Sequence, residues 1–203
     1  GWFPIRNGWG GPFVIHEMIQ FPDGRIRTKW MKEIVPPTID TVLLAKQIKT
    51  ETSFPVKDNS FILSFDVQPI KKKAGKLGLS FLSSGKDAFR TGCSLQLDMP
   101  EVRAQYSTAK KDSFAVKEAS LREDGSPHQA VNYGIEHVTG IDKAFSVRIL
   151  VKSTAKLGGS IIDTEIAGQN TMITYREDLN IENILFKQEG VIIRNIRLMK
   201  VGD

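Results

Sequence analysis

Two carboxylates separated by one residue are the first candidates for chemistry in this chain. Asp163 and Glu165 lie in a run that alternates polar and apolar residues, as a half-buried β-strand does, so both side chains are expected on one face. Carboxyl groups roughly 5–9.5 Å apart can act together in the hydrolysis of a glycosidic bond. Because Ile162, Thr164 and Ile166 would then face the core, the two carboxylates are expected to point outward into solvent. We interpret them as a surface pair or a domain contact rather than a catalytic pair.

Other side chains that often carry chemistry lack the spacing that a site requires. His16, His128 and His137 are far apart, so the sequence predicts no metal site. Cys93 is the only cysteine, which excludes an internal disulfide, and we expect it to be a small buried residue rather than a nucleophile. The sequence contains neither a Gly-x-Ser-x-Gly elbow nor a glycine-rich phosphate loop, so no cofactor is expected.

Aromatic residues are the remaining candidates for a binding function. Sugar recognition uses flat apolar ring faces flanked by hydrogen-bonding groups, and four aromatic residues are therefore candidate carbohydrate-binding residues. They are Trp2, Trp9, Trp30 and Tyr133. We favour a second interpretation, in which the tryptophans pack the hairpin against the sandwich or a lost propeller, because an isolated two-stranded hairpin is barely stable in water.

The composition is that of an ordinary globular protein. The 203 residues are 40% hydrophobic and 25% charged, enough for one core with an appendage. No apolar run approaches the ~18 residues of a membrane span, so no transmembrane helix is expected, and the first residues show no basic n-region followed by an apolar h-region, so no signal peptide is visible in this segment. The net charge is a mild +5. The basic run Lys71 to Lys73 has no interleaved aromatic residues, so we expect a solvated loop and no nucleic-acid partner.

Period-two alternation predicts that the chain is mostly short strands. Residues 61–67, 94–99 and 145–151 each alternate apolar and polar side chains, and turn signals recur between such runs. This pattern favours an all-β sandwich or jelly roll. The window from Thr38 to Lys49 is ambiguous, because its aliphatic residues fall near a helical period. Pro36-Pro37 precedes it and marks a boundary in the chain.

Residues 8–34 predict a β-hairpin whose turn is Pro22-Asp23-Gly24. Exposing the apolar residues of this hairpin to water would cost free energy. We therefore expect the hairpin to dock on the main domain, either in its own chain or in a second copy. These residues are Trp9, Phe13, Ile15, Ile19, Phe21 and Trp30. Glu17 lies among the apolar residues of one face and should need a cationic or backbone partner at the contact.

This hairpin and the segment 145–201 resemble parts of glycoside hydrolase family 32, the invertases, fructosidases and levanases. The hairpin is similar to the last strands of the five-bladed propeller of that family. Residues 145–152, 159–176 and 191–201 are similar to the closing strands of the concanavalin-A-like sandwich that follows it. The resemblance implies a hairpin and linker from a truncated propeller at 1–36, followed by a concanavalin-A-like jelly-roll β-sandwich at 37–203.

The carboxylate motifs of that family are missing. Trp30-Met31 matches only the first two letters of its Trp-Met-Asn-Asp-Pro motif, no Arg-Asp-Pro occurs, and Gly92 rather than Glu precedes Cys93. The resemblance therefore implies a non-catalytic C-terminal module of a secreted, periplasmic or cell-surface enzyme, which braces the catalytic propeller and contacts glycan at most weakly. The alternative is a carbohydrate-binding module with its own glycan site. A hydrolase that uses Asp163 and Glu165 is a third, more distant reading.

Overall fold

The computed structural model describes residues 14–71, 73–83, 88, 92–108, 133–154, 159–177 and 179–202. These residues form fourteen β-strands and one short 3-10 turn, Lys32–Ile34. The strands are β1 (His16–Gln20), β2 (Ile26–Trp30), β3 (Thr38–Ile48), β4 (Thr52–Pro55), β5 (Ser60–Pro69), β6 (Lys76–Leu82), β7 (Cys93–Asp98), β8 (Arg103–Thr108), β9 (Tyr133–Ile135), β10 (Phe145–Thr154), β11 (Gly159–Ile166), β12 (Asn170–Glu177), β13 (Asn183–Glu189) and β14 (Val191–Val201).

Two six-stranded antiparallel sheets pack face to face, which confirms the predicted β-sandwich. Sheet I has the strand order β12-β11-β10-β5-β14-β3, and sheet II has the order β4-β13-β6-β7-β8-β9. Strands β1 and β2 form a separate two-stranded sheet, the hairpin. Because consecutive strands often belong to different sheets, the core is assembled from contacts that are distant in sequence.

The core consists of the apolar residues that alternate along the central strands. The inward side chains of β5 and β10 are 7% exposed or less, as their alternation predicts. They are Phe61, Leu63, Phe65 and Val67 from β5, and Phe145, Val147, Ile149 and Val151 from β10. The Phe65 ring meets the Phe186 ring of sheet II edge to face, with centroids 5.2 Å apart. Such aromatic pairs fix how two sheets interdigitate.

A polar contact between two side chains crosses this core. Tyr106 of sheet II and Thr164 of sheet I are both fully buried, and their hydroxyl groups hydrogen-bond to each other. Cys93 is also buried in the core, and burial raises the pKa of its thiol above the ordinary value, so the thiol stays protonated. The expectation of a structural rather than nucleophilic cysteine is confirmed.

The ambiguous window from Thr38 to Lys49 is a strand and not a helix. Residues Thr38–Ile48 form β3, the edge strand of sheet I, paired with β14. Two register shifts interrupt this pairing, so the aliphatic residues lose strict alternation and imitate a helical period. The side chain of Asp40 also accepts a hydrogen bond from the amide of Thr41, at 2.7 Å. Bulges are one way to make an exposed sheet edge less prone to pairing.

Two glycines with positive φ give a matched test of the sandwich turns. Gly190 (φ +62°) joins β13 to β14, and a Cβ placed there would lie 2.3 Å from the carbonyl oxygen of Ala74. Gly168 (φ +65°) joins β11 to β12, and a Cβ there would meet no atom within 4 Å. We expect Gly168→Ala to cost about 1–2 kcal/mol of unfolding free energy from the left-handed backbone alone. Gly190→Ala should cost clearly more, because the carbonyl of Ala74 must also move. Urea unfolding of both variants measures the difference, and equal losses would contradict the close approach.

Candidate functional site

The hairpin docks on the outer face of sheet I, within its own chain. His16 pairs with Trp30 at its open end, and its turn is closed by a hydrogen bond from the amide of Gly24 to the carbonyl of Phe21, at 2.9 Å. The predicted hairpin and its turn are therefore confirmed, as is docking on the sandwich. The docked face carries His16, Thr28 and Trp30, which contact strands β10 to β12.

Asp163, on the outer face of β11, is held by a histidine of the hairpin. Both carboxylate oxygens lie 3.0 Å from Nε2 of His16. The two side chains are 7% and 14% exposed, respectively. The other ring nitrogen of His16, Nδ1, lies 3.0 Å from the hydroxyl oxygen of Thr171. The nearly buried carboxylate of Asp163 is thus paired with His16, which lies 147 residues away in the sequence.

Glu165, two residues further along β11, is held from both sides. Its Oε2 accepts a 2.7 Å hydrogen bond from the backbone amide of Trp30, and its Oε1 accepts hydrogen bonds of 2.6 and 3.1 Å from Arg148. The Glu165 side chain is only 5% exposed. The guanidinium of Arg148 also lies over the Trp30 ring, 4.8 Å from its centroid, in a cation–π contact. Trp30, Glu165 and Arg148 therefore fix one another.

Two further polar contacts align the hairpin with the edge of sheet I. The Thr28 hydroxyl lies 2.6 Å from the Thr171 hydroxyl and accepts a hydrogen bond from the Thr171 amide, at 3.3 Å. Arg27 donates to the hydroxyl of Thr139 at 2.8 and 3.0 Å. We call the set His16, Arg27, Thr28, Trp30, Thr139, Arg148, Asp163, Glu165 and Thr171 the hairpin junction.

The Trp30 side chain supplies the apolar part of the junction. It is 5% exposed and packs with Ile62, Val201 and neighbouring aliphatic residues on the outer face of sheet I. Burying a ring of this size contributes roughly 4–6 kcal/mol before entropic costs. Beside it, a cavity of about 330 Å³ lies between the hairpin, the segment 31–36 and the sheet, with Leu150 and Ile161 in its lining.

The carboxylate pair differs from its expected environment. Asp163 and Glu165 do face outward, and Ile162 and Thr164 do face the core, but the carboxylates are buried under the hairpin rather than solvated. The expectation of solvation is wrong because alternation shows only which face a residue occupies, and not what covers that face. The hairpin docking that was expected separately is what buries them.

The prediction for Glu17 is half right. Glu17 has a cationic partner, since its Oε1 lies 3.1 Å from Nζ of Lys29, which is opposite it in the hairpin. However, this pair is exposed and does not lie at the docking contact, because the docked face is the one with His16 and Thr28. Ile15, expected at the contact, is 43% exposed.

Asp163, His16 and Thr171 follow one another in the order carboxylate, imidazole, hydroxyl, which is the order of a nucleophilic triad. Thr171 is only 8% exposed, and its hydroxyl faces Thr28 of the hairpin at 2.6 Å. A nucleophile must reach a substrate, and this hydroxyl is closed off by the docked hairpin. The geometry supports a structural clasp rather than catalysis.

Of the four aromatic residues predicted to bind carbohydrate, only Trp30 has a side chain that the structure describes. Trp30 lies in the hairpin junction with little ring area exposed, which favours its packing interpretation. Trp2 and Trp9 lie outside the described residues, as does His128. Tyr133 begins edge strand β9 of sheet II, and its side chain is outside what the structure describes. Sugar binding by these four residues stays a prediction.

The sequence did not identify His16, Thr28, Arg148 or Thr171 as functional partners. In the sequence, His16 is a candidate only as a metal ligand, and the one signal of its role is its place opposite Trp30 in the hairpin. Within the described ranges, no cluster of three or more His, Cys, Asp or Glu side chains is arranged to hold a metal ion.

None of the helical residues in the described part of the chain forms a segment with the length and apolar character of a membrane span.

The buried His16–Asp163 pair can be tested against the exposed Glu17–Lys29 pair in the same hairpin. A double-mutant cycle of His16→Ala and Asp163→Ala should give a coupling free energy of about 1–3 kcal/mol, because each partner leaves the other desolvated. The same cycle on Glu17 and Lys29 should give below about 0.5 kcal/mol, because both side chains stay hydrated. Urea unfolding with amide exchange of residues 16–30 measures both. Equal coupling in the two cycles would contradict the interpretation that the buried His16–Asp163 pair holds the hairpin on the sheet.

Comparison with known proteins agrees with the fold. No family model matches the sequence, and no curated protein matches it. Among solved structures, fructofuranosidase from Schwanniomyces occidentalis complexed with fructose has a TM-score of 0.53 at 10% identity, covering 89% of this chain and 39% of that enzyme. Exo-inulinase from Aspergillus awamori has a TM-score of 0.54 at 10% identity, covering 93% of this chain and 35% of the enzyme. The chain thus spans little more than a third of the length of these enzymes, and it shares the β-sandwich fold found in a part of each.

Proposed function

We propose that this chain is a non-catalytic C-terminal β-sandwich module of a glycoside hydrolase of the fructan- or sucrose-degrading type. Its role is to brace the catalytic propeller. In this proposal residues 1–36 are the last propeller strands with their linker, and residues 37–203 are the module. The proposal places the parent enzyme in a secreted, periplasmic or cell-surface location, following the family resemblance.

The observation that carries the proposal is the hairpin junction. A hairpin that was merely a tail would need no more than apolar contact, but here each buried carboxylate of β11 has a partner supplied by the hairpin. Contacts to His16, Trp30 and Thr28 fix the hairpin in one position on the sheet. A strand pair held in one orientation can transmit the position of a larger domain. The likeness of fold to fructofuranosidase and exo-inulinase supports the same assignment.

The same junction argues against independent chemistry at Asp163 and Glu165. Both carboxylates are already paired within the protein, Asp163 with His16 and Glu165 with Arg148 and the Trp30 amide, and both are nearly buried. A glycosidase acid must instead meet the glycosidic oxygen of a substrate directly.

We expect the chain to release no reducing sugar from sucrose, inulin or levan. Binding of these neutral sugars in calorimetry should be no tighter than millimolar, which corresponds to about −4 kcal/mol. Turnover that is lost in Asp163→Asn would overturn the non-catalytic assignment. Micromolar binding that is abolished by Tyr133→Ala and preserved in Trp30→Ala would support the alternative, a carbohydrate-binding module with its own site.

Removal of residues 1–36 should lower the melting temperature and increase aggregation. The truncation exposes the aliphatic patch under Trp30 and leaves Asp163 and Glu165 without their hairpin partners. The matched control is Glu17→Ala in the full chain, which alters an exposed pair of the hairpin and should leave the melting curve almost unchanged. An unchanged melting curve in the truncated chain, with fast amide exchange of residues 16–30 in the full chain, would contradict docking and the brace.

A further inference from the structure

A polar trench crosses the outer face of sheet I beside the hairpin junction. It consists of two neighbouring cavities of about 440 and 300 Å³, which share Ala144, Phe145 and Ser146 as lining. The larger cavity reaches Arg148 and Lys143, and the smaller reaches Asp66 and Arg194. Each is large enough for a small ligand.

Arg148 is presented to this trench in a fixed orientation. Its Nε and Nη2 donate to Glu165, and its guanidinium carbon lies over the Trp30 ring, 4.8 Å from the ring centroid. The side chain is still 43% exposed. Its Nη1 makes no hydrogen bond to any described residue, so two N–H groups are free for a ligand. A guanidinium held in place by its neighbours loses little entropy when it binds.

The two carboxylates of the trench are already satisfied by the protein. Glu165 is bonded by Arg148 and the Trp30 amide. Asp66 accepts hydrogen bonds of 2.7 Å from the hydroxyl of Ser146 and from the side-chain amide of Asn195. Neither carboxylate therefore needs a cation from a ligand.

The cations of the trench outnumber these carboxylates. Lys143, Arg148 and Arg194 line it, and Arg197 follows in the next row of the sheet, where it pairs with Ser64 of β5. Nε of Arg194 donates to Gln47 at 3.1 Å, which orients this side chain as well. The trench thus offers surplus N–H donors and positive charge, which suit a ligand rich in acceptor oxygens with a carboxylate.

We infer that this trench binds a sugar acid, whose carboxylate bonds Arg148 and Lys143 and whose hydroxyl groups extend toward Ser146 and Arg194. The need for a carboxylate rests on the described geometry alone. The choice of a sugar as the rest of the ligand rests on the proposed function.

Calorimetric titration of the full chain with D-glucuronate and D-galacturonate tests the inference, with D-glucose and acetate as probes of each half of the ligand. At least one sugar acid should bind with a dissociation constant of about 1–10 mM or tighter, and glucose and acetate should each bind at least ~10-fold more weakly. Binding should weaken several-fold on raising the salt from about 0.05 to 0.5 M, because the trench is open to solvent.

Lys143→Gln and Arg194→Gln are the test variants, since neither residue belongs to the hairpin junction. Each should weaken binding of the sugar acid at least ~5-fold. Lys57→Gln is the matched control, because Lys57 is also exposed and precedes the opposite end of β5; it should leave binding unchanged. Melting curves of the three variants should match the parent chain, which would exclude loss of folding as the cause.

Three results would overturn the inference. They are no binding of either sugar acid at about 50 mM, equal binding of glucose, and equal weakening by Lys57→Gln. Acetate that binds as tightly as the sugar acids would overturn the sugar part and leave a simple anion site. None of these results bears on the brace, which fails separately if truncation of residues 1–36 has no effect.

Discussion

The burial of two negative charges on one outer strand is the constraint on which the rest of this arrangement depends. Asp163 and Glu165 are nearly inaccessible to water, and an ionised carboxylate in that position is costly unless it is paired. The hairpin supplies an imidazole to the first and a backbone amide to the second. Since His16 and Trp30 are paired across the hairpin, satisfying both carboxylates sets the position and the register of the hairpin together.

Arg148 connects this constraint to the surface beside it. The same guanidinium neutralises Glu165, lies over the Trp30 ring and lines the polar trench. A shift of the hairpin would therefore remove the Trp30 ring from the arginine that the trench presents to solvent, while its ion pair with Glu165 lies within sheet I. The outer face of sheet I thus has one part covered by the hairpin, which holds the Trp30 patch and the paired carboxylates, and a second part that is lined by cations and open to solvent. Arg148 lies at the border between them.

The sandwich itself is a rigid platform for both halves. Its core is made from the alternating apolar residues of two sheets, tied by the ring contact of Phe65 with Phe186 and the hydroxyl contact of Tyr106 with Thr164. Closely packed cores of this kind resist small displacements. The fold therefore explains how a junction on its surface can be held in place, while the fold by itself assigns no activity.

The sequence by itself determined the β-rich class, the hairpin with its turn at Pro22-Asp23-Gly24, and the inward faces of β5 and β10, because alternation and turn chemistry are local. Only the tertiary structure decided that Thr38–Ile48 pairs as a bulged edge strand, because its pairing partner lies about 150 residues away. Only the tertiary structure could show that Asp163 meets His16 and that Glu165 meets Trp30. Alternation assigns a side chain to a face of a sheet, whereas the covering of that face depends on contacts between distant segments.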